Sequence, residues 1–378
     1  MLTKSTLSAA IMALAAGLAV AASASAPAVA QAVIKVPVIA PYSGAVAFYG
    51  TNYMNGVNLA LDAVGGVVNG HKIETYAVDD ECKPEAAVTQ INKLLDSAIV
   101  TIGPGCSGNM LATQKLLEQA GIPHIFTGYG AAITDKGDKL VFRAGISDRV
   151  MAEAMASWAK DKFNIKTWGL INDTSGYGAG GGATFEKVVT ALGMKVISHV
   201  TYTPGERDFT GLILNVAKAN PDAVHVVGYE VDLGLLVKQA GQTGLKPPII
   251  GPVAFTNKEF AEAAGPYAND RYFMTIFLAE DPSPAVQELS QSWQKKYGGV
   301  PADVGTIGYE AGLILIDAVK RVKGEVTKES LAEALRQTKI QSSPMGPIEF
   351  DAAGDRHGKG LVDIGVIKDG KPVFVTKQ

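Results

Sequence analysis

Short apolar runs alternate with longer stretches of helical periodicity along most of this chain. The run at 33–40 predicts a buried strand. Met54, Val57, Leu61 and Val64 then fall on one face of a helix over 51–64. Asn69-Gly70 marks a turn, 72–78 a second strand, and Pro84 opens a helix running to residue 95. A strand at 99–102, a helix over 110–120 and a strand at 123–126 follow. This alternation predicts an α/β fold, a parallel sheet with helices on both faces. A second block repeats it. Asp148 is expected to cap a helix over 152–163, and strands at 167–171, 195–200, 223–227 and 248–251 alternate with further helices. Two blocks of like pattern predict two lobes of like fold. After a strand at 272–278, helices are expected over 286–297, 307–322 and, opened by Thr327, 329–337. The tail reads as strands and turns.

In parallel sheets of this kind ligands sit outside the carboxyl ends of the strands. The polar and aromatic residues collect there: Tyr49 in the loop after the first strand, Ser107 after the third, Thr127 and Tyr129 after the fourth. The stretch from Val100 to Asn109 is the most telling. An apolar run ends in glycines, Cys106 and Ser107, and a helical pattern then begins. The open N–H groups of a helix N-terminus favour an anion, the Ser107 hydroxyl adds a donor, and the glycines let a ligand approach the backbone. The turn is therefore expected to hold the carboxylate of a small molecule, with simple helix capping by Ser107 as the alternative. In the second block Tyr177 and Tyr229 stand at strand ends, and Glu230 follows Tyr229 as a residue expected in a solvated loop.

Gly176 to Gly181 matches G-x-G-x-x-G between a strand and a helix, which raises a dinucleotide-dependent enzyme as a rival. The strand at 195–200 ends without the acidic residue that would hold a ribose. There is no G-x-S-x-G, and the five histidines are scattered without ligand spacing. No enzymatic activity, cofactor or metal is expected. The 378 residues, 47% hydrophobic, leave room for two domains, and a net charge of -3 with no Lys/Arg-rich run argues against a nucleic-acid partner.

Residues 1–32 read as a secretory signal peptide, with Lys4, an apolar core at 11–22, and cleavage near Ala30 or Ala32. An even cysteine count in an exported chain argues for a disulfide between Cys82 and Cys106, two free buried thiols being the alternative.

Several segments taken in order are similar to the type I periplasmic binding proteins of ABC importers, in particular the leucine/isoleucine/valine-binding branch. They are Ser43-Gly44 with Tyr49-Gly50, Asp79-Asp80 with Cys82, Gly103 to Ser107, Asp173 with Tyr177-Gly178, Gly205-Glu206 with Asp208-Phe209, Gly228-Tyr229, Gly251-Pro252, and Gly346-Pro347 with Asp351 and Gly354. The resemblance covers about residues 33 to 370. It implies two Rossmann-like lobes joined by three crossings, lobe one being 33–147 with 279–360 and lobe two 148–278 with 361–378. It also implies a cleft that closes like a Venus flytrap, a monomer in the periplasm, and delivery to a permease in the inner membrane. Cys82 and Cys106 match the family's disulfide positions. Ser107 and Thr127, or Gly128 in its place, match carboxylate-binding positions, and Tyr49, Tyr177 and Tyr229 match cleft-lining ones. The family's acidic partner for a ligand ammonium matches Val253 here, and its cleft phenylalanine matches Val304. A valine cannot neutralise an α-ammonium, and a buried unpaired charge is costly. Glu230 is then available as a substitute anion. The implied ligand is a branched-chain amino acid or an aromatic acid, and Tyr129 and Phe255 lean toward the second. A receptor presenting the solute to a signalling partner uses the same cleft.

Overall fold

The computed structural model describes residues 33–378; the expected signal peptide lies outside the described residues. Among these residues no helix is long and apolar enough to cross a membrane.

The first sheet is built around β1 (Val33–Ala40). It pairs in parallel with β3 (His71–Asp79) on one side and β4 (Thr101–Ile102) on the other, and β5 (His124–Phe126) and β6 (Val141–Arg143) extend it. The two-residue strand β2 (Val67–Val68) folds back on β3 across Asn69-Gly70. Both turn residues have positive φ, 50° and 79°, as a tight hairpin turn requires. The connecting helices are α1 (Ala47–Asp62), α2 (Pro84–Asn92), α3 (Ser107–Gln119) and the single turn α4 (Ala132–Asp135).

After β6 the chain crosses through α5 (Asp148–Phe163) to the second sheet. There β7 (Thr167–Asp173) lies between β8 (Lys195–Tyr202) and β9 (Ala223–Val227), with β10 (Ile249–Gly251) and β11 (Tyr272–Thr275) beyond. Its helices are α6 (Gly176–Ala191), α7 (Thr210–Ala219), α8 (Glu230–Gln242) and α9 (Lys258–Ala264). The chain then returns through α10 (Pro284–Tyr297), α11 (Asp303–Arg321), α12 (Lys328–Arg336) and the small antiparallel pair β12 (Lys339–Ile340) and β13 (Ile348–Glu349). It ends in β14 (Asp363–Lys368) and β15 (Lys371–Lys377), which add antiparallel to β11 at the edge of the second sheet.

The return segment belongs beside the first sheet because α11 packs on α1 at glycine distance. A Cβ on Gly56 would stand 2.1 Å from the Gly305 carbonyl oxygen, and one on Gly308 would stand 2.3 Å from that of Tyr53. The two-lobed α/β expectation is borne out, with several shifts at element ends. Helix α1 starts at Ala47 rather than 51, so Tyr49 sits in a helical turn and not in the preceding loop. Gly50 hides this start, since a glycine reads as a turn. Here it lets the helix press on the chain before it: its N–H donates to the Pro41 carbonyl at 3.0 Å, and a Cβ would meet that oxygen at 2.4 Å. Helix α5 is capped by Ser147, which accepts from the Arg149 N–H. Asp148 is the first helical residue, and its Oδ1 accepts from the Ala131 N–H at 2.9 Å. Cys82 and Cys106 are bonded, with Cα atoms 5.6 Å apart, and close a 24-residue span.

Candidate functional site

Three helices, α3, α6 and α8, follow the carboxyl ends of β4, β7 and β9, and residues at their starts, Ser107, Tyr177 and Glu230, meet around one space. Ser107 is the first residue of α3 and is 3% exposed. The preceding residue, Cys106, offers the helix no side-chain cap, so the first N–H groups of α3 stay open. Ser107 therefore does not cap its helix. Its Oγ accepts the Gly130 N–H at 3.1 Å, which leaves the hydroxyl proton free to donate elsewhere.

Ser107 and its neighbours line a small chamber. Tyr49, Ser107, Tyr129, Tyr177, Tyr229, Glu230 and Val253 all line it, joined by Tyr53, Gly105, Cys106, Gly228 and Ala254. The five tyrosines run in sequence around the wall. Ring centroids are 6.2 Å apart for Tyr53–Tyr49, 6.4 Å for Tyr49–Tyr229, 5.7 Å for Tyr229–Tyr177 and 6.3 Å for Tyr177–Tyr129. Burial pushes all five phenols upward, so they remain neutral donors.

The donors are largely committed. Tyr49 donates to Glu230 Oε1 at 2.8 Å, Tyr53 to the Thr127 carbonyl at 3.1 Å, and Tyr129 to Asp303 Oδ2. The Tyr229 hydroxyl lies 3.5 Å from Cys82 Sγ. The Tyr49–Glu230 bond and the Tyr229–Cys82 contact each join the first-sheet half to the second. So does the meeting of α3 with α6, where a Cβ on Gly176 would stand 2.5 Å from the Gly108 Cα.

Thr127 and Gly128 do not line the chamber. Their loop turns into the first lobe: Gly105 and the Phe126 ring occupy the space over Gly128, and Arg143 draws the backbone inward. The buried guanidinium donates to the carbonyls of Gly128 and Gly130, both at 3.0 Å, and to Thr134 Oγ1, while pairing with Asp355. Phe255 also faces away. Its ring stacks on Phe260 at 4.0 Å, and Gly251 lacks the Cβ that would strike it. Val304 is buried in α11. Glu230, expected in a solvated loop, is instead the first residue of α8 and 2% exposed. Its carboxyl is pushed up to about 7, chiefly by burial.

Sequence reasoning passed over Tyr53, Asn257 and Asp303. Tyr53 had a usable signal, since it stands four residues after Tyr49 on one helix face. Asn257 and Asp303 had none, because their elements converge only through the crossings. Most of the glycines at 176–182 are accounted for by packing: a Cβ on Gly178 would strike Asp173, one on Gly181 Val227, and one on Gly182 Asn172, whereas Gly180 has open space beside it.

The profile of the periplasmic binding protein family matches residues 33–371. The chain is 30% identical over 326 residues to a leucine-, isoleucine-, valine-, threonine- and alanine-binding protein of Pseudomonas aeruginosa, covering 85% of this chain and 87% of that one. A leucine-binding protein of Thermotoga maritima superposes with a TM-score of 0.84 at 26% identity, covering 91% of this chain and 98% of that one. An ABC transporter solute-binding protein of R. palustris in complex with benzoate superposes with a TM-score of 0.83 at 26% identity, covering 91% and 96%. With a family match that spans nearly all the described residues and a two-sheet fold shared with these structures, the chain belongs to the periplasmic binding proteins.

Proposed function

We propose that this protein is the solute-binding subunit of an ABC importer, capturing a small carboxylate-bearing solute between its two lobes and delivering it to an inner-membrane permease. The family is one of binding proteins, not enzymes, and its members are periplasmic. We read the chain as exported with cleavage near Ala30 or Ala32 and acting as a monomer. Lobe one is taken as 33–147 with 279–360 and lobe two as 148–278 with 361–378. Sheet membership and the α1–α11 packing support this division.

The observation that carries the reading is the open start of α3 at the chamber wall. Unpaired N–H groups and the partial positive charge of the helix end favour a carboxylate, and the Ser107 hydroxyl is left free to donate to it. The solute meets lobe one first. Tyr177, Tyr229 and Glu230 then close from lobe two, and the closed form is held by contacts only it can make. A branched-chain amino acid is one candidate class, after the P. aeruginosa relative. The tyrosine-lined wall favours a second, an aromatic acid, since flat faces stack on a ring.

Calorimetry on Ser107→Ala tests the reading. Loss of one hydrogen bond to a charged group should weaken binding by about 1.5–3 kcal/mol. Thr127→Ala, behind the wall, should have a smaller effect. Unchanged affinity in Ser107→Ala would remove the carboxylate assignment.

A further inference from the structure

The segment between β13 and β14 carries Asp351 and Gly354, and neither lines the chamber. Together they build a tight turn. Asp351 Oδ1 accepts the N–H groups of Ala353 and Asp355, at 2.8 and 3.0 Å. Gly354 has a φ of 84°, and a Cβ there would stand 2.0 Å from the Val141 carbonyl oxygen, so a glycine lets the turn press on β6. The Gly354 carbonyl accepts the Arg143 N–H at 2.9 Å. What the turn presents to the interior is Asp355. Its Oδ1 pairs with the Arg143 guanidinium, and its Oδ2 accepts from the Thr134 hydroxyl at 2.8 Å.

Arg143 is fully buried and serves one loop. Its Nη1 donates to the Gly128 carbonyl and its Nη2 to that of Gly130, with Tyr129 between them. Asp148 holds the same loop from another side. Its N–H donates to the Tyr129 carbonyl and its Oδ1 accepts the Ala131 N–H, both at 2.9 Å. The loop so fixed delivers the Tyr129 ring to the chamber wall and the Gly130 N–H to Ser107 Oγ at 3.1 Å. A serine hydroxyl rotates to suit its neighbours. With Gly130 on its acceptor side, its proton is turned to the chamber. A continuous set of contacts thus runs from Asp355 through Arg143 and Gly130 to the Ser107 oxygen. A guanidinium suits this place because its planar fork reaches two carbonyls and a carboxylate at once, whereas an ammonium on a flexible stem does not.

Arg356, the other buried arginine among the described residues, gives the contrast. It pairs with Glu310 at 3.2 Å and donates to the carbonyls of Ala144, Met345 and Pro347, none of which lines the chamber. It ties chain to chain and ends at no group that meets a solute.

We propose that Arg143 is a positioning residue for the carboxylate of the solute, with Asp355 and Thr134 holding it in turn. It touches no solute. It fixes residues 128–131 so that the Gly130 N–H keeps the Ser107 hydroxyl aimed at the carboxylate. This rests on the Ser107 end being the carboxylate site. The turn at 351–355 then serves recognition without approaching the chamber.

The test compares an acid with its own amide, L-leucine with L-leucinamide and benzoate with benzamide, titrated by calorimetry into the mature protein and its variants. The readout is the preference for the acid over its amide, in whichever pair has the tighter-binding acid. Ser107→Ala should lower this preference by about 10- to 100-fold. Arg143→Lys, which keeps the charge and loses the fork, should lower it by about 3- to 30-fold. In a Ser107→Ala background the same change should move it by less than about twofold, because the group it positions is gone. Arg356→Lys should lower the melting temperature and leave the preference within about twofold, which separates loosening of the fold from positioning. Melting curves without solute check that each variant is folded. If Arg143→Lys does not fold, Thr134→Val replaces it, since it leaves both charges in place; it should lower the preference by about 2- to 5-fold, and no change there overturns the inference. A preference unchanged in Arg143→Lys while Ser107→Ala lowers it overturns the inference alone. So does an equal effect of Arg143→Lys with and without Ser107, or an equal loss in Arg356→Lys. If Ser107→Ala leaves the preference unchanged, the carboxylate reading fails and takes the inference with it. If neither acid binds, both fall together.

Discussion

Single side chains do the chemistry here, and their neighbours decide which chemistry. Ser107 can donate to a solute because Gly130 already occupies its acceptor side. Arg143 never reaches the chamber, yet it fixes the loop that carries Tyr129 by drawing in the carbonyls on either side of that residue. Glu230 shows how far placement alters a residue type. Its carboxyl rises from an ordinary value of 4.5 to about 7 because it is buried, with Asp303 adding to the effect. The folded protein thus holds its proton more tightly than the unfolded chain. Stability falls as pH rises from about 4.5 through about 7, and the penalty is complete above that range. Glu230→Gln should therefore raise the melting temperature of the unliganded protein at pH 8, by the equivalent of about 1–3 kcal/mol, and change it little at pH 4.5. An equal effect at both values would show that ionisation is not the cause. Which residue types stand near the strand ends was legible in the sequence. That Glu230 is buried was not, because a charged residue beside a tyrosine and before Val231-Asp232 carries no periodic sign of burial until α8 is seen to start there.

Helices carry these groups, and the way each helix begins matters more than its length. Cys106 precedes α3 and lines the chamber, so the disulfide ties the anion-favouring end of that helix to the turn after β3. Reduction should lower stability by about 3 kcal/mol for a loop of this size. It should also weaken solute binding without abolishing it, since the helix start loses its tether while Ser107 remains. Thermal melting and calorimetry with and without dithiothreitol would check both effects, and undiminished affinity in the reduced protein would show that the tether does not position the site. At this scale the strands and most helices were legible from periodicity, and the Pro84 and Thr327 starts from their capping chemistry. The starts of α1 and α6 were obscured by glycines, which in isolation read as turns or as a phosphate-binding pattern. In the folded protein Gly50, Gly178, Gly181 and Gly182 are places where a backbone or side chain fills the position a Cβ would take.

For the molecule as a whole the decisive event is closure, and one small contact reports on it. Gly176 at the start of α6 meets Gly108 at the start of α3. The contact is asymmetric: a Cβ on Gly176 would stand 2.5 Å from the Gly108 Cα, whereas one on Gly108 would rest at an ordinary 3.5 Å from Gly176. Gly176→Ala should hinder closure and weaken solute binding by about 1–3 kcal/mol, the usual range for an overpacked contact, with little change in melting temperature. Gly108→Ala should bind nearly normally. Calorimetry and melting curves on the two variants separate these outcomes, and equal affinities would mean that the lobes close without bringing α3 and α6 this near.

Hydrophobic periodicity and turn residues determined by themselves the two α/β lobes, the presence of just two cysteines gave their pairing, and the ordered segments that resemble the periplasmic binding proteins gave the family. These are local properties, set by which residues alternate and which follow one another. Only the tertiary structure decided the composition of the chamber. Tyr49, Glu230, Asn257 and Asp303 lie far apart along the chain and meet because α11 returns to pack on α1 while α8 belongs to the second sheet. The same convergence turned Thr127, Gly128 and Phe255 away from the chamber. Burial and charge pairing are properties of neighbours in space, and no spacing within a single element encodes them.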